Sequence, residues 1–453
     1  MTLSGALSSL PRDRQMIVTP DAARSAGEIL DKAAAVAEQV KGRRVVLRLA
    51  DSIAGIETLV AADGCAASIT LLSPSLSDQH LSPLVASADC DLLLSDAPPP
   101  PDLPAKVSFC SELDSLPRSP TSQSAPPAET EWNLATSGTT GRPKLVAHTL
   151  ATLSRTARPG NPGDTTAHWG LLYDYMRFAG LQVVLQALIG GSELIIPTPT
   201  ASLRDRLSTL AAQGCTHLSA TPTLWRSITM TPGATELPLR QVTLGGEIAD
   251  ARILSSLKST YPQARITHIY ASTEAGVGFS VKDGEAGFPA SYLDSPPAGL
   301  ALRLVDGRLQ IKNTAIRSTY VGTDDRFGAD DGWIDTGDNV ERIGDRIHFL
   351  GRASGLINVG GNKVHPEEVE RLLLSHPEIQ SARVFSKASP IMGALVVADI
   401  VPTHSPQNPA AFRASIQAHL REQLEPYKIP AILNLVDHLE TTATGKLARG
   451  LSS

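Results

Sequence analysis

The chain has 453 residues, more than one hydrophobic core usually fills, so its length predicts two or more domains. A hydrophobic fraction of 42% is that of a globular protein. The net charge of -6 carries no long like-charge block, which excludes the basic footprint of a nucleic-acid or anionic-membrane binder and leaves a small molecule as the default partner.

In chain order, residues 1–14 carry no apolar run with a cleavage site, so no targeting segment is expected. Short apolar runs at 45–49, 69–72 and 92–94 alternate with helix-compatible stretches, the rhythm of a parallel sheet. Residues 97–130 are dense in Pro and Ser and predict an irregular surface excursion. The most apolar stretch, 180–196, is interrupted by Gln182, Gln186, Gly190, Gly191 and Glu193, too soon for a membrane span. Strands are predicted at 194–196, 217–219, 242–244 and 266–270, with helices over 201–213 and 250–260, so residues 17–285 read as doubly wound α/β. After about Pro297 the pattern turns to hairpins, 300–305 with 309–312 around Asp306-Gly307 and 340–342 with 346–350 around Gly344-Asp345. From Pro366 a compact α+β unit follows, with helices at 367–374 and 411–424 and strands at 382–385, 394–401 and 431–436. The expected division is a large domain over 1–351 and a small mobile α+β domain over 352–453, jointed at Arg352 to Gly355. Cys65, Cys90, Cys110 and Cys215 stand far apart with no CxxC pair, which predicts reduced thiols of a cytoplasmic protein.

The sharpest chemical signal is Thr136, Ser137, Gly138, Thr139, Thr140, Gly141, Arg142, Pro143 and Lys144. Glycines let backbone N–H groups approach a polyphosphate, hydroxyls donate further hydrogen bonds, and the lysine adds positive charge. Pro143 before the lysine and Leu145 after it break the GxxxxGK[ST] spacing of a P-loop.

This stretch resembles the phosphate loop of the adenylate-forming superfamily of acyl-CoA synthetases, nonribosomal-peptide adenylation domains and luciferases. Further motifs of that family occur in order: Gly245-Gly246-Glu247, Tyr270-Ala271-Ser272-Thr273-Glu274, Thr336-Gly337-Asp338, Gly351-Arg352 and Thr444-Gly445-Lys446. The resemblance implies that Tyr270 stacks on adenine, that Gly245, Gly246 and Glu247 with Ala271 and Ser272 border the base, and that Thr273 reaches the α-phosphate. It assigns Mg²⁺ to Glu274, the ribose hydroxyls to Asp338, ribose or phosphate to Arg352, and the charge of the adenylation step to Lys446 together with Thr139, Lys144 and Glu274. The implied reaction is ATP-dependent formation of an acyl-AMP with loss of pyrophosphate, then transfer to a thiol. Gly360 and Gly361 would line the thiol tunnel, and residues 359–366 look closer to CoA ligases than to adenylation domains. CoA is therefore the expected acceptor, with the phosphopantetheine of a carrier protein as the alternative.

The chain departs from the family at Ala271, where glycine is usual, and at Ser354, where the hinge usually has Asp. Those changes raise the alternative of a nucleotide-binding protein with impaired catalysis, against which Lys144 and Lys446 both remain. An ATP-dependent phosphotransferase would instead release ADP. For an amino-acid substrate the family places an Asp where this chain has Phe178, so an α-amino acid is not expected. Phe178, Ala179, Gln182, Val242, Leu244, Ile269 and Val277 are the candidate acid-pocket positions, and Arg177 is a candidate partner for a second anionic group on the substrate. A modest aryl or short to medium acyl acid is the resulting expectation. Nothing in the sequence sets an oligomeric state.

Overall fold

A computed structural model describes residues 1–104, 106–111, 129–136, 142–159, 166–297, 299–316, 319–389, 393–441 and 446–447. Ser137, Gly138, Thr139, Thr140 and Gly141 of the phosphate loop, with Thr444 and Gly445, lie outside these residues.

Two sheets form the body of the chain. In the first, of six strands, Ser108–Cys110, Leu92–Ser95, Arg44–Arg48, Ser68–Leu71 and Glu131–Ala135 run parallel, and Leu145–His148 closes the edge antiparallel. Its two faces are buried against different partners, with Ile29, Val36, Ile56 and Leu59 of the helices Ala26–Val40 and Ser52–Ala62 in one core and Leu81, Leu84 and Val85 of Asp78–Ser87 in another. Parallel strands covered on both faces need near-continuous apolar runs, as in Val45, Val46 and Leu47. The strand Ser108–Cys110 falls inside the stretch expected to be irregular. It is only three residues long and pairs at the sheet edge, below the length at which periodicity is legible.

The second sheet has eight strands, in the order Gly276–Val281, Arg265–Ser272, Gln241–Gly245, His217–Ala220, His168–Gly170, Glu193–Ile195, Gln15–Val18 and Ala23–Ser25. Its inner pairings are parallel and its two outermost are antiparallel. The helix Phe178–Gly190 shares one core with the first sheet's helices and stops at Gly191, whose φ of 64° supplies the left-handed cap. The expected helices are present as Leu203–Ala212 and Ala251–Thr260. Together with Pro222–Met230 they bury Leu207, Leu210, Trp225, Ile253 and Leu257 against the other face of the eight-stranded sheet.

A five-stranded sheet follows, Phe288–Pro289, Arg346–Arg352, Trp333–Ile343, Arg308–Asn313 and Leu300–Val305, antiparallel throughout. It starts before Pro297 because Phe288–Pro289 already pairs with Ile347 and Arg346. The hairpin at Asp306-Gly307 turns as its residues dictate, with φ of 50° and 72°. A short 3₁₀ turn, Ala353–Gly355, then leads to a fourth sheet of five strands, packed on the helices Pro366–Ser375 and Pro409–Arg421. Gly351, at φ 134°, lies so close to that unit that an added Cβ would collide with Glu367 Oε2. Among the described residues, no helix is long and apolar enough to cross a membrane.

Candidate active site

Ligands of open α/β sheets gather beyond the carboxyl ends of the strands. At that end of Gln241–Gly245 stand Gly246 and Glu247, and Arg265–Ser272 delivers Tyr270, Ala271 and Ser272, followed by Thr273 and Glu274. The antiparallel sheet adds Asp338 and Arg352, which face each other across its ladder. The C-terminal segment adds Lys446.

These groups converge. Gly246 has φ 81°, and a Cβ built there would sit 3.0 Å from Lys446 Cε and 3.5 Å from its Nζ, so the lysine stem crosses directly over the glycine. Burial draws the Lys446 ammonium down from the ordinary 10.5 of lysine, with Glu247, Asp338 and Glu274 pulling it up and Arg352 pushing it further down. Lys446 therefore shares one electrostatic neighbourhood with four of the residues read from the sequence. Glu247 accepts the Thr223 amide at 3.0 Å on one oxygen and the Leu447 amide at 3.0 Å on the other.

Asp338 binds two of the others. Tyr270 donates its hydroxyl to Asp338 Oδ2 at 2.6 Å, and Arg352 Nε lies 3.2 Å from Oδ1. Burial raises the Asp338 carboxyl above its usual value, against the lowering pull of Arg352 and Tyr270. The Tyr270 ring lies nearly parallel to Phe279 and Phe349, at centroid separations of 5.1 and 5.2 Å. It is thus part of an aromatic stack as well as a candidate platform for a base. Ala271 pairs with Val277 in extended backbone beside a bulge, and among the described residues the positive-φ non-glycine ones are Asp89 and Asp306. The alanine therefore occupies its site without the strain for which glycine would be needed.

At the other end, Thr136 and Lys144 close the base of the loop between them. Thr136 N donates to Lys144 O at 2.8 Å and Lys144 N donates to Thr136 Oγ1 at 3.1 Å. The Lys144 ammonium is 2.8 Å from Asp325 Oδ2 and 4.7 Å from the Tyr320 ring centre. Tyr320 in turn feels both Glu274 and Asp325, which together with burial push its phenol up. Tyr320 and Asp325 had no signal in the sequence, since neither belongs to a motif and the pair Lys144 and Asp325 is 181 residues apart. No group of three or more His, Cys, Asp or Glu that could hold a metal occurs among the described residues.

His148, also missed, is 3% exposed, and its Nε2 meets the Thr273 carbonyl at 2.8 Å. A carbonyl accepts, so Nε2 carries the proton and the neutral ring braces Thr273. Burial lowers its pKa to about 4. A histidine whose folded pKa lies below its unfolded 6.5 binds fewer protons when folded, so stability is full above about pH 6.5 and is lost as pH falls towards 4. The shift corresponds to about 3 kcal/mol at most. His148→Gln, whose amide can still donate to Thr273, is expected to flatten the fall of the urea midpoint between pH 7 and pH 4.5 relative to the unaltered chain. An unchanged slope would mean that His148 is already protonated or accessible in the folded state.

The acid-pocket positions fare unevenly. Phe178 is half-buried with its ring 6.0 Å from that of His148, Ala179 is exposed, and Gln182 donates to Leu153 O at 2.9 Å. Ile269 is half-buried, and Val277, nearly buried, offers its carbonyl to Arg155. Val242 and Leu244 are corrections. Both are 0% exposed in the core with Trp225, Ile253 and Leu257, and so do not line a pocket. Strand side chains alternate, so it is Thr243, paired with Thr267, that shares the face of Ile269. Arg177, the candidate partner for a second anionic group, has its Nε 3.4 Å from Asp174 Oδ2 and its guanidinium within reach of Ser75, so Asp174 shares its charge. Gly360 and Gly361, at φ 57° and 91°, form the exposed tip of a hairpin between Ile357–Val359 and Asn362–Val364. A cavity of about 560 Å³ lined by Arg44, Ser68, Asn133, His148 and Gly322 includes neither Lys446 nor Glu247, Tyr270 and Asp338.

A family model described as AMP-binding enzyme matches residues 22–313, and one described as AMP-binding enzyme C-terminal domain matches residues 368–446. The chain is 30% identical over 346 residues to an isonitrile lipopeptide synthase of Streptomyces coeruleorubidus, covering 69% of this chain and 23% of that protein. It is 29% identical over 339 residues to a 2-succinylbenzoate–CoA ligase of Bacillus velezensis, covering 71% of this chain and 68% of that one. It therefore spans less than a quarter of the synthase. Among solved structures, it matches the anthranilate CoA ligase AuaEII in complex with anthranoyl-AMP at a TM-score of 0.82 and 18% identity, over 99% of this chain and 95% of that one. The o-succinylbenzoate CoA synthetase of Bacillus subtilis in complex with its acyl-adenylate intermediate matches at 0.74 and 21%, over 99% and 97%. At such identities these structures speak for the fold, a large α/β domain followed by a smaller C-terminal one. With the first family model covering more than half of its length, the chain belongs to the AMP-binding enzyme family.

Proposed function

We propose that this chain activates a carboxylic acid with ATP to an acyl-adenylate and passes the acyl group to a thiol, that of CoA. The observation that carries the reading is the delivery of Lys446 over Gly246, into the neighbourhood of Glu247, Glu274, Asp338 and Arg352. In the first half-reaction an oxygen of the acid attacks the α-phosphorus, and the bond from that phosphorus to the bridging oxygen breaks to release pyrophosphate. Lys446 and Lys144 stabilise charge on the phosphoryl oxygens, aided by Thr139 and Thr140, so the chain works by positioning and electrostatics and needs no nucleophile of its own. In the second, the thiol sulfur attacks the carbonyl carbon, AMP leaves, and the thiol proton passes to solvent.

Tyr270, Gly245, Gly246, Ala271 and Ser272 border the adenine in this reading, Thr273 donates to the α-phosphate, Asp338 takes the ribose hydroxyls, and Arg352 reaches ribose or phosphate. Of the three carboxylates around the lysine, Glu247 accepts two backbone amides and Asp338 holds Tyr270 and Arg352, so Glu274 is the one that would hold Mg²⁺, an ion that keeps few protein ligands and takes the rest from phosphate and water. Bound there, it would neutralise the triphosphate. The domains are 1–351 and 352–453, with the 3₁₀ turn Ala353–Gly355 as the joint and Gly360 with Gly361 on the thiol path. The proposed use of ATP and CoA supports a cytoplasmic location.

Relatives named for 2-succinylbenzoate and 4-hydroxybutyrate, and a structural neighbour holding anthranoyl-AMP, support a small aryl or short acyl acid. A second reading has one specific support: the chain is also 24% identical over 442 residues to a plipastatin synthase of Bacillus subtilis, which favours a carrier-protein thiol as acceptor. Acid-dependent exchange of pyrophosphate into ATP across a panel of acids tests the first step, with aryl and short acyl acids expected to exceed every amino acid. Amino acids performing best would refute the substrate class, and ADP in place of AMP would refute the reaction. Acyl-CoA is the expected final product, and loading of a carrier protein without acyl-CoA would reverse the choice of acceptor.

A further inference from the structure

Glu247 stands next to the glycine that Lys446 crosses, yet both of its carboxylate oxygens are occupied by backbone of this chain. One accepts the amide of Thr223, in the first turn of the helix Pro222–Met230. That turn is short of donors to spare: Pro222 has no N–H, and Leu224 N is already taken by the Thr221 hydroxyl, so Glu247 completes the cap where the helix end favours a negative charge. The carboxylate is thereby fixed to the large domain. Its other oxygen accepts the amide of Leu447, the residue after the lysine and 200 positions away in the chain. No intervening side chain is needed. One rigid anion connects a helix end of the eight-stranded sheet to the backbone that carries Lys446.

We propose that Glu247 is a positioning residue for acid activation, a latch whose hold on the Leu447 amide keeps the Lys446 amine over Gly246, and whose release accompanies transfer to the thiol. The inference rests on the proposed two-step reaction and adds to it the group that sets the position of the lysine. A second contact of the same interface lies away from the site: Arg252 of the helix Ala251–Thr260 donates to the carbonyls of Leu374 and His376, at the end of the helix Pro366–Ser375. That contact aligns the two domains, whereas Glu247 fixes the lysine itself.

Glu247→Gln is the informative change, because it keeps size and one carbonyl but turns an amide NH₂ towards one of the two N–H donors. Acid-dependent pyrophosphate exchange is expected to fall about 10- to 100-fold in kcat, the range for a lost charge-assisted hydrogen bond, with the KM for ATP within about threefold. Thiol transfer from a supplied acyl-adenylate is expected to stay within about twofold or to rise. Glu247→Asp, which keeps the charge on a shorter arm, should recover part of the loss. Hydrogen exchange of the Leu447 amide provides a readout that needs no activity: protection in the unaltered protein, and exchange about tenfold faster in Glu247→Gln. A KM effect alone, or an equal fall in both half-reactions with a lowered melting temperature, overturns the proposal by making Glu247 a nucleotide contact or a helix cap. Leu447 protection unchanged by the substitution overturns it as well. If the unaltered chain activates no acid, the proposed function fails, while the hydrogen-exchange arm still decides the latch.

Discussion

Replacing Lys446 by alanine is expected to reduce acid-dependent pyrophosphate exchange by about 10²- to 10³-fold, the cost of removing one preorganised donor from developing charge. The KM for ATP should move little, because the lysine serves the transition state more than the bound nucleotide. The placement of this lysine explains the size. Its stem packs closely on Gly246, where a Cβ would stand 3.0 Å from its Cε, and Glu247, Asp338 and Glu274 all act on its ammonium. Burial nonetheless dominates and pulls its pKa below 10.5. The protonated amine is the stabilising form, so exchange should decline with rising pH at a value below that of an ordinary lysine. In Lys446→Ala this basic limb should vanish along with most of the rate. Stopped-flow or isotope-exchange rates from pH 7 to 10 would check both points, and a variant retaining more than a third of the rate would remove Lys446 from the first half-reaction.

Whatever depends on neighbours in the chain was legible in the sequence, and whatever depends on distant partners was not. Asp306-Gly307 announces a hairpin because two successive positive φ values suit few other residues, and the apolar runs at Val45 and Leu92 mark buried strands because both faces are covered. The helix expected to reach 424 ends at Arg421 with Glu422 as its cap, and the Gln423 and Leu424 amides both bond back to Leu420 O in a turn that prolongs it. The same double burial that makes the strand Gln241–Gly245 easy to find hides its orientation. With Gln241, Val242, Thr243 and Leu244 all buried, no alternation says which face looks at the core, and Val242 and Leu244 were assigned to the wrong one. The candidate site divides in the same way. Motif order identified Gly246, Asp338 and Lys446, but that Glu247 meets Leu447, that Asp325 holds Lys144, and that His148 braces Thr273 are facts of tertiary structure with separations of 200, 181 and 125 residues.

Asp338→Ala is expected to be the second most damaging change, and for two separable reasons. The carboxylate joins the hydroxyl of Tyr270 to the guanidinium of Arg352, and those two side chains come from different sheets. Losing it takes the carboxylate acceptor from a buried phenol that packs on the rings of Phe279 and Phe349 and keeps only Thr336 as a polar side-chain partner, with a stability cost of about 1–3 kcal/mol for a buried donor deprived of its acceptor. It also removes the acceptor proposed for the ribose hydroxyls, which should raise the KM for ATP about 100-fold, while the acid's KM changes far less. Asp338→Asn separates the two effects. Its carbonyl can still accept from Tyr270, so the melting temperature should return towards that of the unaltered chain, but without the negative charge the ribose and Arg352 are both held more weakly and the KM for ATP should remain about tenfold high. Titration of ATP against each variant, alongside thermal unfolding, gives the pair of numbers. An alanine variant that unfolds early yet binds ATP normally would confine Asp338 to bracing Tyr270 and move the ribose contact elsewhere in the site.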